Sequence, residues 1–130
     1  MILGAIGITM TTILIVDDSP TETHIMKTLL EKEGYTTLLA DDGEKGVAEA
    51  RRAQPDLVLM DVVMPGLNGF QATRQLSRDP ETKDIPVVMV TTKDQETDKA
   101  WGKRQGAKAY IVKPVVAKEL LTKIQAVLAE

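Results

Sequence analysis

Asp17 and Asp18 follow the apolar run Thr12–Val16, and Asp61 follows Leu57–Met60; Thr91 and Thr92 close a third run, and Lys113 follows Ala109–Val112. Carboxylates, a hydroxyl and an ammonium brought to one place make a site for phosphoryl transfer, where positioning and charge neutralisation do most of the work. Carboxylates crowded within a few ångströms repel one another, and each one left unpaired costs several kcal/mol or shifts its pKa upward. A hard divalent cation relieves this, and an oxygen-only donor set with open positions suits Mg²⁺. Lys113 adds compensating positive charge and Thr91 a hydroxyl for an oxyanion. One of the carboxylates can then act as nucleophile, giving an aspartyl phosphate.

Taken singly, each residue has an ordinary reading. Asp17-Asp18 before Ser19-Pro20 is loop and cap chemistry, and Thr91 is a strand-end hydroxyl. Lys113-Pro114 is a loop entering a helix, and Asp61 starts a turn leading to Pro65-Gly66. What argues for chemistry is their conjunction at one predicted edge of one sheet.

That edge follows from the alternation of elements. "TILIV" (12–16) is a compact β-branched run, and Ser19-Pro20-Thr21-Glu22 predicts a capping box with proline at the first helical position. Ile25, Met26, Leu29 and Leu30 carry the helical period, which Gly34 ends. "YTTLLA" (35–40) predicts a second strand, and a helix after Asp41-Asp42-Gly43 runs to about Ala53. Pro55 introduces the strand 57–60, and a helix spans Gly69 to about Arg78. "IPVVMVT" (85–91) is a fourth strand, a polar helix covers about Gln95–Gln105, and "AYIV" (109–112) is a fifth strand. Pro114 is expected to open the last helix, with Leu120, Leu121, Ile124 and Leu128 as its apolar stripe.

Continuous apolar strands alternating with helices argue a parallel sheet covered on both faces. Right-handed crossovers restrict this to an α/β doubly wound, flavodoxin-like layout, with five strands in the order 2-1-3-4-5. Ligands in such sheets bind beyond the carboxyl ends of the strands, at the switch point. Asp17, Asp18 and Asp61 are expected there, from strands one and three.

Composition narrows the classes. A net charge of −3 gives no strong pull toward nucleic acid or anionic membrane, and 3% aromatic residues make a base-stacking platform improbable. The chain has no cysteine and one histidine, His24, which excludes disulfides, thiolate sites and multi-histidine metal sites. Absence of cysteine accords with a reducing, cytoplasmic compartment. "MILGAIGITM" lacks a basic flank and is too short to span a bilayer, so residues 1–11 read as an upstream start or added segment ahead of a single domain, 12–130.

The segments "ILIVDDSP", "PDLVLMDVVMPGLNGFQ", "IPVVMVTT" and "GAKAYIVKP" resemble, in this order, the signature of the response-regulator receiver domain of the chemotaxis type. The resemblance covers residues 12–129. It implies phosphorylation of Asp61 by a histidine-kinase phosphodonor. It implies Mg²⁺ bound by Asp18, Asp61 and the Val63 backbone carbonyl, with Asp17 acting through water. Lys113 becomes the phosphoryl ion-pair partner, Thr91 with Thr92 the switch hydroxyl position, Tyr110 the switch aromatic, and Lys113-Pro114 a cis peptide. Within the family, "MDVVMPGLNGFQATRQL" and "DKAWGKRQGAKAY" resemble small stand-alone regulators of type IV pilus twitching motility.

Two positions beside such a site tune phosphoryl lifetime, and here they are Val63 and Lys93. Val63 has no side-chain group to orient water, so no hydrolysis assisted from that position is expected. It also argues against a haloacid-dehalogenase-like phosphatase, which wants a second Asp there. "DDSPTE" argues against a flavodoxin-like flavin carrier, because it would repel phosphate. On the fourth helix only Ala100 and Trp101 offer apolar contact, and Gly102 weakens it by roughly 1 kcal/mol. Trp101 is expected either to pack on the sheet or, with Lys99, Lys103 and Arg104, to form a docking face that changes on phosphorylation. The expected protein is thus a phosphoacceptor switch, not an enzyme in the usual sense. It would act through a downstream target protein on its helix 4–strand 5–helix 5 face, or serve as a phosphate sink or a phosphorylation-independent binding module. It is expected to be monomeric, that face being the place for any weak dimer.

Overall fold

The computed structural model describes residues 10–130; residues 1–9, most of the expected added segment, lie outside the described residues. The elements run β1 (Thr12–Val16), α1 (Pro20–Lys32), β2 (Thr36–Ala40), α2 (Gly43–Ala53), β3 (Leu57–Met60), α3 (Gly69–Arg78), β4 (Val87–Thr91), α4 (Glu96–Gln105), β5 (Ala109–Val112) and α5 (Ala117–Leu128). All strand pairings are parallel, in the order β2-β1-β3-β4-β5.

Successive side chains of a strand point to opposite faces, and both faces here are apolar. Ile13, Ile15, Leu57, Leu59, Val88 and Ile111 meet Met26 and Leu30 of α1 and Leu120 and Ile124 of α5. Leu14, Val16, Val58, Met60 and Val87 meet Val47 and Ala50 of α2 and Ala72 and Leu76 of α3. Each fully buried Leu, Ile or Met contributes about 1.5–3 kcal/mol relative to exposure. Among the described residues, no helix is long and apolar enough to cross a membrane.

Two boundaries and one cap depart from the sequence pattern. β4 begins at Val87, not Ile85. Pro86 has no N–H to give a ladder, and the Ile85 N–H is used in a turn to Thr82. The last helix begins at Ala117, not Pro114. β-Branched Val116 holds an extended conformation (φ −99°, ψ 122°) and delays it. The capping box of α1 is only half formed: the Ser19 hydroxyl accepts the Glu22 N–H at 3.2 Å, but the Ser19 N–H donates to Asp17 Oδ1 at 2.9 Å. That leaves the Glu22 carboxylate free for another partner.

Candidate functional site

Val16 is paired with Met60, and an aspartate follows each, so strand register alone sets Asp17 beside Asp61. The ladders continue one residue further: the Asp61 N–H donates to the Val16 carbonyl at 2.9 Å and the Asp17 N–H to the Ala40 carbonyl at 3.1 Å. Asp17 is 3% exposed and Asp61 7%, whereas Asp18 faces solvent. One oxygen from each of the three carboxylates lies within 4.8 Å of the others.

Lys113 enters from the end of β5, where its N–H donates to the Thr91 carbonyl at 2.8 Å and its peptide bond to Pro114 is cis. Its Nζ stands 2.8 Å from Asp17 Oδ2, 3.5 Å from Asp61 Oδ2 and 3.9 Å from Glu22 Oε1. Burial works against the ammonium, but its hydrogen bond to Asp17 and the charges of Asp61, Asp17 and Glu22 outweigh it and raise the Lys113 pKa. Burial also raises the Asp61 pKa; Lys113 opposes this, Asp17 reinforces it, and the Val62 N–H and Thr91 hydroxyl favour the ion without reversing the shift. The pocket therefore carries more negative charge than one ammonium neutralises. A donor set of oxygens only, already gathered and open to solvent through Asp18, fits a hard divalent cation such as Mg²⁺.

The floor of the pocket is close-packed. A Cβ on Gly69 would run into the Asp61 carbonyl, so α3 starts directly against the acceptor loop. The Asn68–Gln71 capping box fixes that start. Gly66, at φ +73°, makes the turn that a β-carbon would strain. Val63 is 58% exposed. A cleft of about 690 Å³ opens from Asp17 and Asp18 past Leu39, Ala40 and Lys45.

Thr91 is fully buried at the end of β4, its hydroxyl oxygen accepting the Lys93 N–H at 3.4 Å; Thr92 is exposed. Tyr110 is half-buried, and its phenol donates to the Lys93 carbonyl at 2.8 Å. Its pKa is pushed up to about 12, first by burial and then by Asp98, Asp61 and Asp94.

On α4 the expectation about Trp101 divides. Trp101 is 44% exposed and does not pack on the sheet; α4 buries Gly102 and Gln105 instead. Ala100 is exposed too. Lys99 and Lys103 line a groove of about 460 Å³ with Lys108 and Tyr110, but Trp101 and Arg104 do not. The Arg104 guanidinium lies over the Trp101 ring, 5.8 Å from its centroid. Positions two apart on a helix face away from each other, so the expected patch is split between two flanks of α4. The sequence reading missed Glu22, seen there only as a cap, and Asp98. Their signal was weak, because acidic first-turn residues occur on most helices.

A family model for the response regulator receiver domain matches residues 13–125. The chain belongs to this family. Protein PilH of Pseudomonas aeruginosa is 64% identical over 120 residues, which cover 92% of this chain and 99% of PilH. The DNA-binding dual master transcriptional regulator RpaA of Synechocystis is 41% identical over 116 residues, 89% of this chain but 48% of RpaA, so this receiver spans about half of that relative. Among solved structures, chemotaxis protein CheY4 of Vibrio cholerae matches with a TM-score of 0.86 at 33% identity, covering 92% of this chain and 99% of CheY4. The receiver domain of a sensor histidine kinase from Pseudomonas aeruginosa PAO1, solved with a magnesium ion coordinated in its active site cleft, matches with a TM-score of 0.87 at 28% identity. It covers 94% of this chain and 100% of that one.

Proposed function

We propose that this receiver is a phosphoacceptor switch of a two-component, chemotaxis-like pathway, taking a phosphoryl group on Asp61 from the phosphohistidine of a kinase. The observation that carries the reading is the buried Asp61 carboxylate, with the Lys113 ammonium 3.5 Å away and two further carboxylates gathered beside it. An Asp61 oxygen attacks phosphorus, the phosphorus–nitrogen bond of the donor breaks, and the donor imidazole leaves with its electron pair. Lys113 pairs with the transferred oxyanion, for which it exchanges one of its carboxylate partners. The Thr91 hydroxyl donates to a second oxygen.

Asp18, Asp61 and the Val63 carbonyl, with Asp17 through water, would hold Mg²⁺. That ion supplies charge neutralisation on the phosphoryl oxygens. The magnesium-bearing receiver domain among the structural neighbours supports this assignment. The 64% identity to PilH supports placing the chain in the type IV pilus twitching-motility branch. Its output is protein contact on the α4–β5–α5 face in the cytoplasm.

Incubation with a small acyl phosphate and Mg²⁺, followed by intact mass measurement, tests the reading. A labile phosphoryl adduct is expected, absent from Asp61→Asn. No adduct, or the same yield in the variant, overturns it.

A further inference from the structure

Asn68 is the only asparagine in the chain, and a glycine follows it. In that pair a backbone nitrogen attacks the preceding side chain most readily, because glycine has no β-carbon to shield it. The Gly69 nitrogen loses its proton to solvent base and bonds to Asn68 Cγ. The Cγ–Nδ2 bond breaks, ammonia leaves, and a cyclic succinimide remains. Water then opens the ring at either carbonyl, giving aspartate or isoaspartate at position 68.

The fold engages both partners of that attack. The Gly69 N–H donates to the Val62 carbonyl at 2.9 Å, which holds the proton that must leave. Asn68 Oδ1 accepts the Gln71 N–H at 2.9 Å, and the Asn68 N–H donates to Gln71 Oε1 at 3.0 Å, so the amide is fixed as the cap of α3. Gly69 is buried, with the Asp61 carbonyl where its Cβ would be, and cannot swing toward the side chain. Val62 also gives its N–H to Asp61 Oδ1 at 2.8 Å. One residue thus ties the acceptor carboxylate with one backbone group and the reactive nitrogen with the other.

We propose that Asn68-Gly69 is a deamidation and isomerisation site, silent while the first turn of α3 is closed and reactive when that turn opens. The two products act differently on the acceptor loop. Aspartate keeps a cap for the Gln71 N–H and places negative charge at a helix N-terminus, where it is favoured. Isoaspartate routes the main chain through the former side chain and so inserts an extra methylene ahead of Gly69. The start of α3 then no longer meets the Asp61 carbonyl in register, and the acceptor loop loses its support. Only this last consequence, loss of phosphoryl uptake by the isoaspartate form, rests on the phosphoacceptor reading.

The full chain is incubated at mildly alkaline pH, folded and in urea. The peptide holding Asn68 is followed by mass spectrometry for amide-to-acid conversion, and isoaspartate by enzymatic carboxyl methylation. Conversion in urea is expected to run about tenfold to a thousandfold faster than in the folded chain, since only opening frees the pair. Gln71→Ala removes one half of the capping box and keeps the Gln71 N–H. It is expected to raise the folded-state rate about two- to fivefold while leaving the rate in urea unchanged. Absence of conversion in urea overturns the site, and equal rates folded and unfolded overturn its gating. An unchanged folded-state rate in Gln71→Ala overturns the first turn of α3 as the gate. The isoaspartate form, separated from the aspartate form, is then given acyl phosphate and Mg²⁺, and loss of the adduct is expected. An adduct at the unmodified yield overturns the effect on the acceptor loop. Absence of any adduct on the unmodified chain overturns the phosphoacceptor reading and that effect with it, whereas the conversion rates decide the site by themselves.

Discussion

α3 and α4 are neighbours of equal length, ten residues each, and both follow strands that end at the acidic pocket. They are held in opposite ways. α3 buries Gly69, Ala72, Thr73 and Leu76, has a complete capping box, and begins against the Asp61 backbone. α4 buries a glycine and a glutamine and leaves its one tryptophan in solvent. Burial of apolar side chains resists displacement in proportion to area, whereas a few part-exposed polar contacts exchange readily with water. The difference makes α3, seated against the Asp61 loop, the more firmly held of the two and α4 the more easily displaced.

The strongest way to break this contrast is Gly69→Ala. The added Cβ meets the Asp61 carbonyl and the Val62 backbone, which cannot move without shifting the pocket. Its expected cost is about 3 kcal/mol or more in urea unfolding, with loss of the phosphoryl adduct. A mild effect would show that the acceptor loop is not held as α3 implies.

Next come truncations on the two helices. Leu76→Ala should cost about 2–5 kcal/mol, because Leu76 is 1% exposed. Trp101→Ala should cost under about 1 kcal/mol, since it loses mainly the stacking of Arg104. Equal costs would erase the distinction. Gly102→Ala sharpens it from the other side: the new methyl makes ordinary contact with Tyr110, and replacing glycine inside a helix should stabilise the fold by about 0.5–1 kcal/mol. The same stiffening should slow α4 hydrogen exchange.

The smallest effect is a pH dependence. The Tyr110 pKa is raised from 10.0 to about 12, so folding favours the neutral phenol. Its contribution to stability is fully present below about pH 10 and is lost as pH rises through about 12. In Tyr35→Phe, where Tyr110 is the sole remaining tyrosine, the phenolate absorbance should titrate near 12. A midpoint near 10 would mean that Tyr110 is not held beneath α4.

Much of the fold was legible because the patterns that encode it are local. Apolar runs, Ser19-Pro20 and Gly34 mark strands, caps and stops through the chemistry of neighbouring residues. Misplaced boundaries fell where local signals compete, as at Pro86 and at Val115-Val116 ahead of α5. Glu22 shows the limit most clearly. Its spacing from Ser19 fits a capping box, yet Asp17 takes the Ser19 N–H and Lys113, 91 positions further on, draws near the carboxylate instead.

The sequence by itself determined the alternation of strands and helices, the order of the sheet and the gathering of Asp17, Asp18, Asp61, Thr91 and Lys113 at one edge. A parallel sheet with right-handed crossovers leaves no other place for residues that follow its strands. Only the tertiary structure decided how the charges are shared, with Lys113 seated on Asp17 and nearer to it than to Asp61. It alone decided that Trp101 stays outside, that α4 leans on Gly102, and that Lys93 meets Thr91, Tyr110 and Asp98 together. Those outcomes depend on distances between elements, and distances between elements are set by packing, which no local pattern records.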